Sequence, residues 1–162
     1  KAGKPAGIQL KLNSILDEGF VEKIYQASQA GVKIDLLVRG ICAVQPGIKG
    51  VSENITVKSV LGRFLEHSRI FHFVNGGNNE YWIGSADLMG RNLDRRVESL
   101  VRIDKKEHQN RLQEILDLGL SADSSSWQLS GIEWTRVSKN SKGEALLDVH
   151  SAFIHTYSRE RQ

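Results

Sequence analysis

The sequence predicts an α/β fold in which a mixed sheet is flanked by helices and followed by a small C-terminal hairpin and helix. A strand pattern, a helical pattern and a second strand pattern succeed one another over residues 8–38. This is a βαβ unit, whose two strands run parallel through a right-handed crossover. Two further apolar segments flank an Asn- and Gly-rich turn at 75–79, which indicates an antiparallel hairpin.

Each part of the βαβ unit has its own local signal. Apolar and polar residues alternate over 8–12, as in a half-buried strand. Asp17 and Glu18 open a helix that Gly31 ends. Residues 32–38 are β-branched and aliphatic, which is typical of a strand. The apolar side of the helix carries Phe20, Val21, Ile24 and Ala27.

The pattern of strands and helices continues beyond this unit. Asp104 and Glu107 resemble a capping box and predict a helix that reaches about Leu118. Its apolar stripe carries Leu112, Ile115 and Leu116. The further predicted strands cover 55–60, 70–74, 81–84 and 95–103.

We expect two units, a domain at 1–120 and a C-terminal hairpin and helix at 121–162 that pack on it. Residues 121–126 are polar and predict a linker. Two short strands around Ser130 and Gly131, at 127–129 and 133–137, predict the hairpin. From Gly143 onward the apolar residues recur at helical spacing, namely Leu146, Val149, Phe153 and Tyr157.

Composition is that of an ordinary globular protein, with 40% hydrophobic and 25% charged residues and a net charge of +3. No apolar run approaches the roughly 20 residues that span a bilayer. The single Cys42 excludes an internal disulfide framework and fits a reducing cytoplasm. The first residue is not Met, and we expect the chain to be a piece of a longer protein.

Two residues lie where an anionic ligand would bind. Ligands of parallel sheets bind beyond the carboxyl ends of the strands, and Arg39 follows the strand at 32–38. A permanently charged guanidinium there suits phosphate, although Arg39 could instead pair with Asp35 or Glu53. His67 is close to two arginines, Arg63 and Arg69, whose charges favour the neutral imidazole that can accept a proton or attack phosphorus. A surface or capping histidine is the alternative for His67.

A second set of polar residues follows the hairpin. Ser85 and Asn92 could donate hydrogen bonds to phosphate oxygens, while Asp94 or Glu98 could orient an imidazole or an arginine. An ordinary salt-bridged loop is the alternative.

Neither a metal-ligand cluster nor a P-loop is present in the sequence, and His150 and His155 are too far apart to share a helical face. Basic residues are dense in this part of the chain and include Lys58, Arg63, Arg69, Arg91, Arg95, Arg96 and Arg102.

The order His67-x-Arg69, then Gly84-Ser85, then Asn92 resembles the phospholipase D superfamily, whose signature is His-x-Lys, an Asp, then Gly-Ser-x-Asn. Arg69 replaces the Lys, the usual Asp is missing, and Asp87 occupies the Asn position. Longer stretches are similar to bacterial polyphosphate kinases of the first type, roughly over residues 9–103. The matching segments are 11–14, 26–36, 38–42, 46–47, 52–55, 62–70, 83–87 and 91–98.

The resemblance implies a phospholipase D-like fold and a part in the reversible transfer of the terminal phosphate of ATP to polyphosphate. It implies that Arg39 and His67 bind ATP, and that the phosphorylated histidine and the residues linked to Mg²⁺ belong to a preceding phospholipase D-like domain of the same polypeptide. His67 would then contact phosphate or transfer a proton. It also implies a homo-oligomer at full length and a cytoplasmic location, with peripheral membrane association left open. Further phosphate contacts are expected from Arg69, Ser85, Asn92, Arg95 and Arg96.

Two other functions stay open at this point. One is a phospholipase D-type phosphodiesterase whose half-sites pair by dimerisation. The other is a non-catalytic module that binds nucleic acid or another polyanion, for which the basic segment would be sufficient. If the kinase interpretation holds, a chain with one half-site should bind anions without turning over substrate.

Overall fold

The computed structural model describes residues 3–159, over which the chain forms eight strands and four helices. None of the described helices is long and apolar enough to cross a membrane. In chain order the elements are β1 (Ala6–Leu12), α1 (Glu18–Gln29), β2 (Lys33–Val38), β3 (Ile55–Ser59), β4 (Ile70–Asn75), β5 (Asn78–Gly84), α2 (Gly90–Arg95), β6 (Leu100–Ile103), α3 (Lys106–Leu120), β7 (Ser126–Ser130), β8 (Glu133–Val137) and α4 (Val149–Arg159).

All of the strands belong to one sheet of order β6-β5-β4-β1-β2-β3-β7-β8. The pairs β1–β2 and β2–β3 are parallel, and the other neighbours are antiparallel. The predicted mixed sheet, its βαβ unit and its hairpin at β4–β5 are therefore confirmed. Because β1 lies between β2 and β4, the residues that follow β1 and β2 and those that precede β4 meet at one edge.

The central strands are covered on both faces, which explains their nearly continuous apolar sequence. Leu36, Leu37 and Val38 are consecutive and all buried. On one face Leu36 belongs to the cluster that includes Ile24 of α1. On the other face α3 approaches so closely that a Cβ on Gly119 would lie 2.5 Å from Leu37 Cδ2.

The ends of α1 follow the sequence prediction. Asp17 Oδ1 accepts a hydrogen bond from the Phe20 amide at 2.9 Å, which satisfies one of the free N–H groups of the first turn. After the helix, Gly31 has a φ of +85°, a conformation that favours glycine.

The predicted strand at 95–103 is wrong in its first half. Residues 90–95 form α2, and the strand covers only Leu100–Ile103. The reason is the length of β5, which ends at Gly84 opposite Leu100. Residues before Leu100 therefore have no strand to pair with.

The capping box predicted from Asp104 and Glu107 is also wrong. The helix begins at Lys106 with Lys105 as its N-cap and without a side-chain capping bond. The carboxylate of Asp104 lies 3.2 Å from Arg102 Nε instead. At the other end α3 reaches Leu120, two residues past the predicted end.

The C-terminal hairpin is confirmed and extends the main sheet, because Ser59 of β3 pairs with Trp127 of β7. The segment that was predicted to be a linker is packed, with Ser124 and Ser126 buried. The division into domains at residue 120 stays a prediction.

The last helix is shorter than predicted. It starts at Val149, whereas residues 143–148 are not helical and Leu146 N donates to Ser138 O at 2.9 Å. Isolated bridges join Ala145 to Lys139 and Leu147 to Ser124. The helical spacing from Val149 through Phe153 to Tyr157 is correct, and the inclusion of Leu146 is wrong.

Candidate functional site

The carboxyl ends of β1 and β2 create the edge at which the candidate residues meet. Leu12 and Val38 are in register, so Asn13 and Arg39 follow side by side. The Gly40 amide donates to Asn13 O at 2.7 Å, and a Cβ at Gly40 would lie 3.0 Å from that oxygen. Residue 40 must therefore be very small for the two chain segments to stay this close. Ile70 of β4 faces Lys11 of β1, so the segment that carries His67 enters at the same edge.

Asp87 is the buried anion of the site. Its Oδ1 accepts hydrogen bonds from the Asn13 and Ser14 amides at 2.8 and 3.0 Å, and its Oδ2 accepts one from Arg69 Nη2 at 2.7 Å. Burial alone would raise the pKa of Asp87, but the Arg69 and backbone hydrogen bonds outweigh it and hold the pKa below its usual value. Asp87 is therefore a fixed negative charge that anchors Arg69.

Arg69 in turn lies against His67. Its Nη1 and Nη2 are 3.2 and 3.1 Å from His67 Nδ1 and Nε2, respectively. Nη1 and Nη2 form one edge of the guanidinium, so this edge faces the two ring nitrogens. Nη1 also donates to His67 O at 2.9 Å, which fixes the backbone of the same residue.

The imidazole of His67 is exposed and is held in an electropositive setting. Its pKa lies below the usual value because neighbouring groups partly desolvate the ring and because the charges of Arg69 and Arg39 disfavour protonation. Asp87 opposes this shift without reversing it. At neutral pH His67 is thus an accessible neutral imidazole that can accept a proton or a hydrogen bond.

Arg39 is half-buried at the end of β2, and its Nη1 donates to Glu66 O at 2.6 Å. Within the described residues it forms no ion pair, and Asp35 pairs with Lys33 instead. The alternative in which Arg39 is neutralised by Asp35 or Glu53 is therefore not what the fold shows. A cavity of about 290 Å³ adjoins the guanidinium and is lined by Arg39, Gly40, Ser59, Leu61, Trp127 and Trp134.

Lys11 and Glu66 complete the site and were not identified from the sequence. Lys11 Nζ lies 3.2 Å from Glu66 Oε1, and the lysine is only 7% exposed. Burial lowers the pKa of Lys11, with Arg39 and Arg69 adding to the shift and Glu66 opposing it. Lys11 could have been identified as a candidate from the sequence, since it stands between two apolar residues of a central strand. The role of Asp87 could have been inferred from its place in the Gly-Ser-x-Asp segment.

Ser85 and Asn92 were expected to contact phosphate, but in the structure both side chains donate hydrogen bonds to Glu98. Ser85 Oγ donates to Glu98 Oε2, and Asn92 Nδ2 donates to Oε1 at 2.6 Å. These two hydrogen bonds lower the pKa of Glu98. Asn92 is buried, so it would have to leave Glu98 before it could contact a ligand. Glu98 binds these two side chains rather than the imidazole.

Arg95 and Arg96 lie at the end of α2 and are exposed. Over residues 3–159 neither of them makes a hydrogen bond, ion pair or ring contact with His67. Their expected phosphate contacts stay a prediction.

The donor set does not suit a divalent cation. In the part of the chain that the structure describes, no group of three or more His, Cys, Asp or Glu side chains is placed to hold a metal ion. Lys11, Arg39 and Arg69 are cations, and both oxygens of Asp87 already accept hydrogen bonds. We therefore assign none of the described residues to Mg²⁺.

Comparisons with known proteins agree with the architecture. The family described as polyphosphate kinase C-terminal domain 2 matches residues 1–146. A polyphosphate kinase from Streptomyces coelicolor is 51% identical over 99% of this chain, and one from Pseudomonas aeruginosa is 49% identical over 78%. The chain spans only 22% and 18% of the lengths of these two relatives.

Solved structures give the same result. The crystal structure of polyphosphate kinase from Porphyromonas gingivalis superposes with a TM-score of 0.87 at 32% identity, over 98% of this chain and 24% of that one. NucT from Helicobacter pylori shares the fold alone, with a TM-score of 0.51 at 12% identity over 70% of this chain and 78% of its own. The fold is phospholipase D-like, and the chain belongs to the polyphosphate kinase family as its second C-terminal domain.

Proposed function

We propose that this chain supplies one half of a phosphoryl-transfer site, in which Arg39 and His67 contact the phosphates of ATP, ADP or polyphosphate. The observation that carries the proposal is the convergence of an exposed neutral imidazole with a guanidinium that forms no ion pair with a carboxylate among residues 3–159. The names of the relatives point to polyphosphate as the second substrate. The histidine that becomes phosphorylated would lie in a preceding phospholipase D-like domain of the same polypeptide.

The proposed division of labour follows from the chemistry. Phosphoryl transfer depends on positioning and on positive charge at the equatorial oxygens more than on many reactive groups. Arg39 is suited to bind those oxygens, and His67 can accept or return a proton beside them. Arg69 would orient His67 rather than bind phosphate, because its side chain is only 10% exposed and is committed to Asp87.

Mg²⁺ would enter this reaction with the nucleotide and would shield the charges of its phosphates. Its ligands would come from the nucleotide and from the rest of the polypeptide. The part assigned to this chain, namely Arg39 and His67, depends on no metal ligand of its own.

Calorimetric titration of the chain with ATP, ADP and polyphosphate tests the binding role. Loss of charge-assisted hydrogen bonds in Arg39→Ala should weaken binding about ten- to a hundred-fold, and His67→Ala should weaken it several-fold. Arg102→Ala is the matched control, since Arg102 is an exposed arginine on β6 at one end of the sheet. Equal affinities for Arg39→Ala and the control would refute the proposal.

A coupled assay for ATP tests whether this chain needs the other half of the site for activity. The chain alone should make no ATP from ADP and polyphosphate, because the nucleophilic histidine is expected elsewhere. Measurable synthesis would show that this half is sufficient. Phosphodiester cleavage without nucleotide would support the phosphodiesterase alternative. DNA binding that is tight, salt-dependent and unaffected by His67→Ala would support the polyanion-binding alternative.

A further inference from the structure

The segment that carries His67 is held by side chains. Residues 61–68 form neither helix nor strand, and over residues 3–159 their backbone makes no hydrogen bond to other backbone groups. Regular pairing resumes only at Ile70, opposite Lys11. We call residues 61–68 the His67 loop. Its geometry must therefore come from the side chains that contact it.

One of these side chains comes from the far end of the chain. His150, in the first turn of α4, is 3% exposed, and its Nδ1 accepts the Phe64 amide hydrogen at 3.0 Å. Because Nδ1 accepts, the proton of the neutral ring is on Nε2. Nε2 lies 3.6 Å from Glu66 Oε2 and makes no hydrogen bond in the described structure.

The loop is shaped to fit this ring. A Cβ on Gly62 would lie 2.6 Å from His150 Nδ1, so a larger residue would push the ring or the loop away. The Phe64 ring packs on the imidazole with centroids 5.6 Å apart. Gly62, Phe64 and Glu66 are alternate residues, and all three face His150.

Glu66 connects this contact to the phosphate site. Its Oε1 lies 3.2 Å from Lys11 Nζ, and its carbonyl oxygen accepts from Arg39 Nη1 at 2.6 Å. Its neighbour in the chain is His67. A shift of the loop at Phe64 would therefore reach both residues to which we assign phosphate contacts.

We infer that His150 is a positioning residue, which fixes the His67 loop so that Arg39 and His67 keep the geometry for binding phosphate. The role of the loop in binding rests on the proposed function, whereas the anchoring of the loop by His150 can be measured without a ligand. Helix α4 thereby becomes a structural support of the site.

Three substitutions of His150 distinguish the contribution of Nδ1 from that of Nε2. His150→Asn keeps an acceptor near the position of Nδ1, His150→Gln places its amide near Nε2, and His150→Ala removes both. His155→Ala is the matched control, because His155 is an exposed histidine of the same helix.

Amide hydrogen exchange of the ligand-free chain gives the first result. His150→Ala should speed exchange at Phe64 about ten-fold or more, because the amide loses its acceptor and the loop opens more often. His150→Asn should restore protection and His150→Gln should not. Unchanged Phe64 exchange in a folded His150→Ala chain, or equal rescue by Gln and Asn, would overturn the inference. If His150→Ala does not fold, Gly62→Ala tests the same contact from the loop side, and normal Phe64 protection in that variant would also overturn it.

Titration with ATP and polyphosphate gives the second result. Affinity should fall about five- to ten-fold in His150→Ala, recover in His150→Asn and stay normal in His155→Ala. If the wild-type chain binds neither ligand, the proposed function fails while the exchange result still tests the anchoring. If the wild-type chain binds and the affinity of a loop-released His150→Ala is unchanged, the positioning role fails alone.

Discussion

Arg69 Nη2 lies 2.7 Å from Asp87 Oδ2, and Nη1 and Nη2 of the same guanidinium lie 3.2 and 3.1 Å from the ring nitrogens of His67. A buried carboxylate thus orients a cation, which orients the imidazole. The arrangement needs a planar group that can bind a carboxylate along one edge and reach the ring nitrogens along another. Lysine has a single ammonium group, so Arg69→Lys would keep the charge and lose this double contact.

Removal of the charge of Asp87 should destabilise the fold. Asp87→Asn removes the charge that pairs with Arg69 and replaces one carboxylate oxygen with an NH₂ group, which must face either Arg69 or the Asn13 and Ser14 donors. We expect a loss of about 3–5 kcal/mol in the free energy of unfolding, measured by urea denaturation. Asp104→Asn, which breaks an exposed pair with Arg102, should change it by less than about 0.5 kcal/mol. Similar effects for the two variants would contradict the role of Asp87.

The same carboxylate should make stability depend on acid pH. The pKa of Asp87 is lower in the folded chain than its usual value near 3.9, so its contribution is complete above that value. It is lost as the pH falls through the lowered folded pKa. The difference in unfolding free energy between wild type and Asp87→Asn should therefore shrink below about pH 4. A difference that stays constant down to pH 2.5 would exclude this linkage.

Titration of His67 should report the adjacent arginine. Arg69→Gln removes a positive charge from beside the ring, so the pKa of His67 should rise towards its usual value. The measurement is the pH dependence of the His67 ring signals by NMR. Arg102→Gln serves as the control and should leave the midpoint in place. A midpoint that does not rise in Arg69→Gln would show that the charge of Arg69 does not lower the pKa of His67.

Lys58 should stabilise the end of α3. Its Nζ donates to Leu120 O and Ser121 O at 2.9 and 3.0 Å, where a helix leaves its carbonyl groups unpaired. Lys58→Met should cost about 1–3 kcal/mol in urea denaturation because these oxygens lose a charged donor. Lys33→Met, at a lysine whose side chain is 77% exposed, should have little effect. Equal losses of stability in the two variants would show that the effect comes from the removal of any lysine charge and not from the hydrogen bonds of Lys58.

The sequence was sufficient to predict those elements that depend on a local pattern of residues. Alternation located β1, aliphatic composition located β2, and Asp17 located the start of α1. The position of Arg39 after a parallel strand placed it correctly at the carboxyl edge of the sheet, whereas the strand order that brings His67 there was not predicted. The prediction failed where an element depends on the length of its partner. Residues 95–99 have a plausible strand composition and lack a strand beside them, because β5 ends at Gly84.

The supporting residues of the site were missed for a related reason. The hydrogen bond between Phe64 and His150 joins positions 86 residues apart, and that between Asn13 and Asp87 joins positions 74 apart. Spacing along the chain cannot indicate such contacts. The spacing of His150 and His155 in the sequence says nothing about the loop that His150 contacts.

The central place of β1 also bears on how the chain folds. Its partners are β2, a short distance along the chain, and β4, which begins only at Ile70. The antiparallel pairing must close a long loop before it brings any stabilisation, and closures of this kind slow folding. Until β4 arrives, one side of β1 offers unpaired backbone groups to any other strand, so misassembly of nascent chains should begin at this strand.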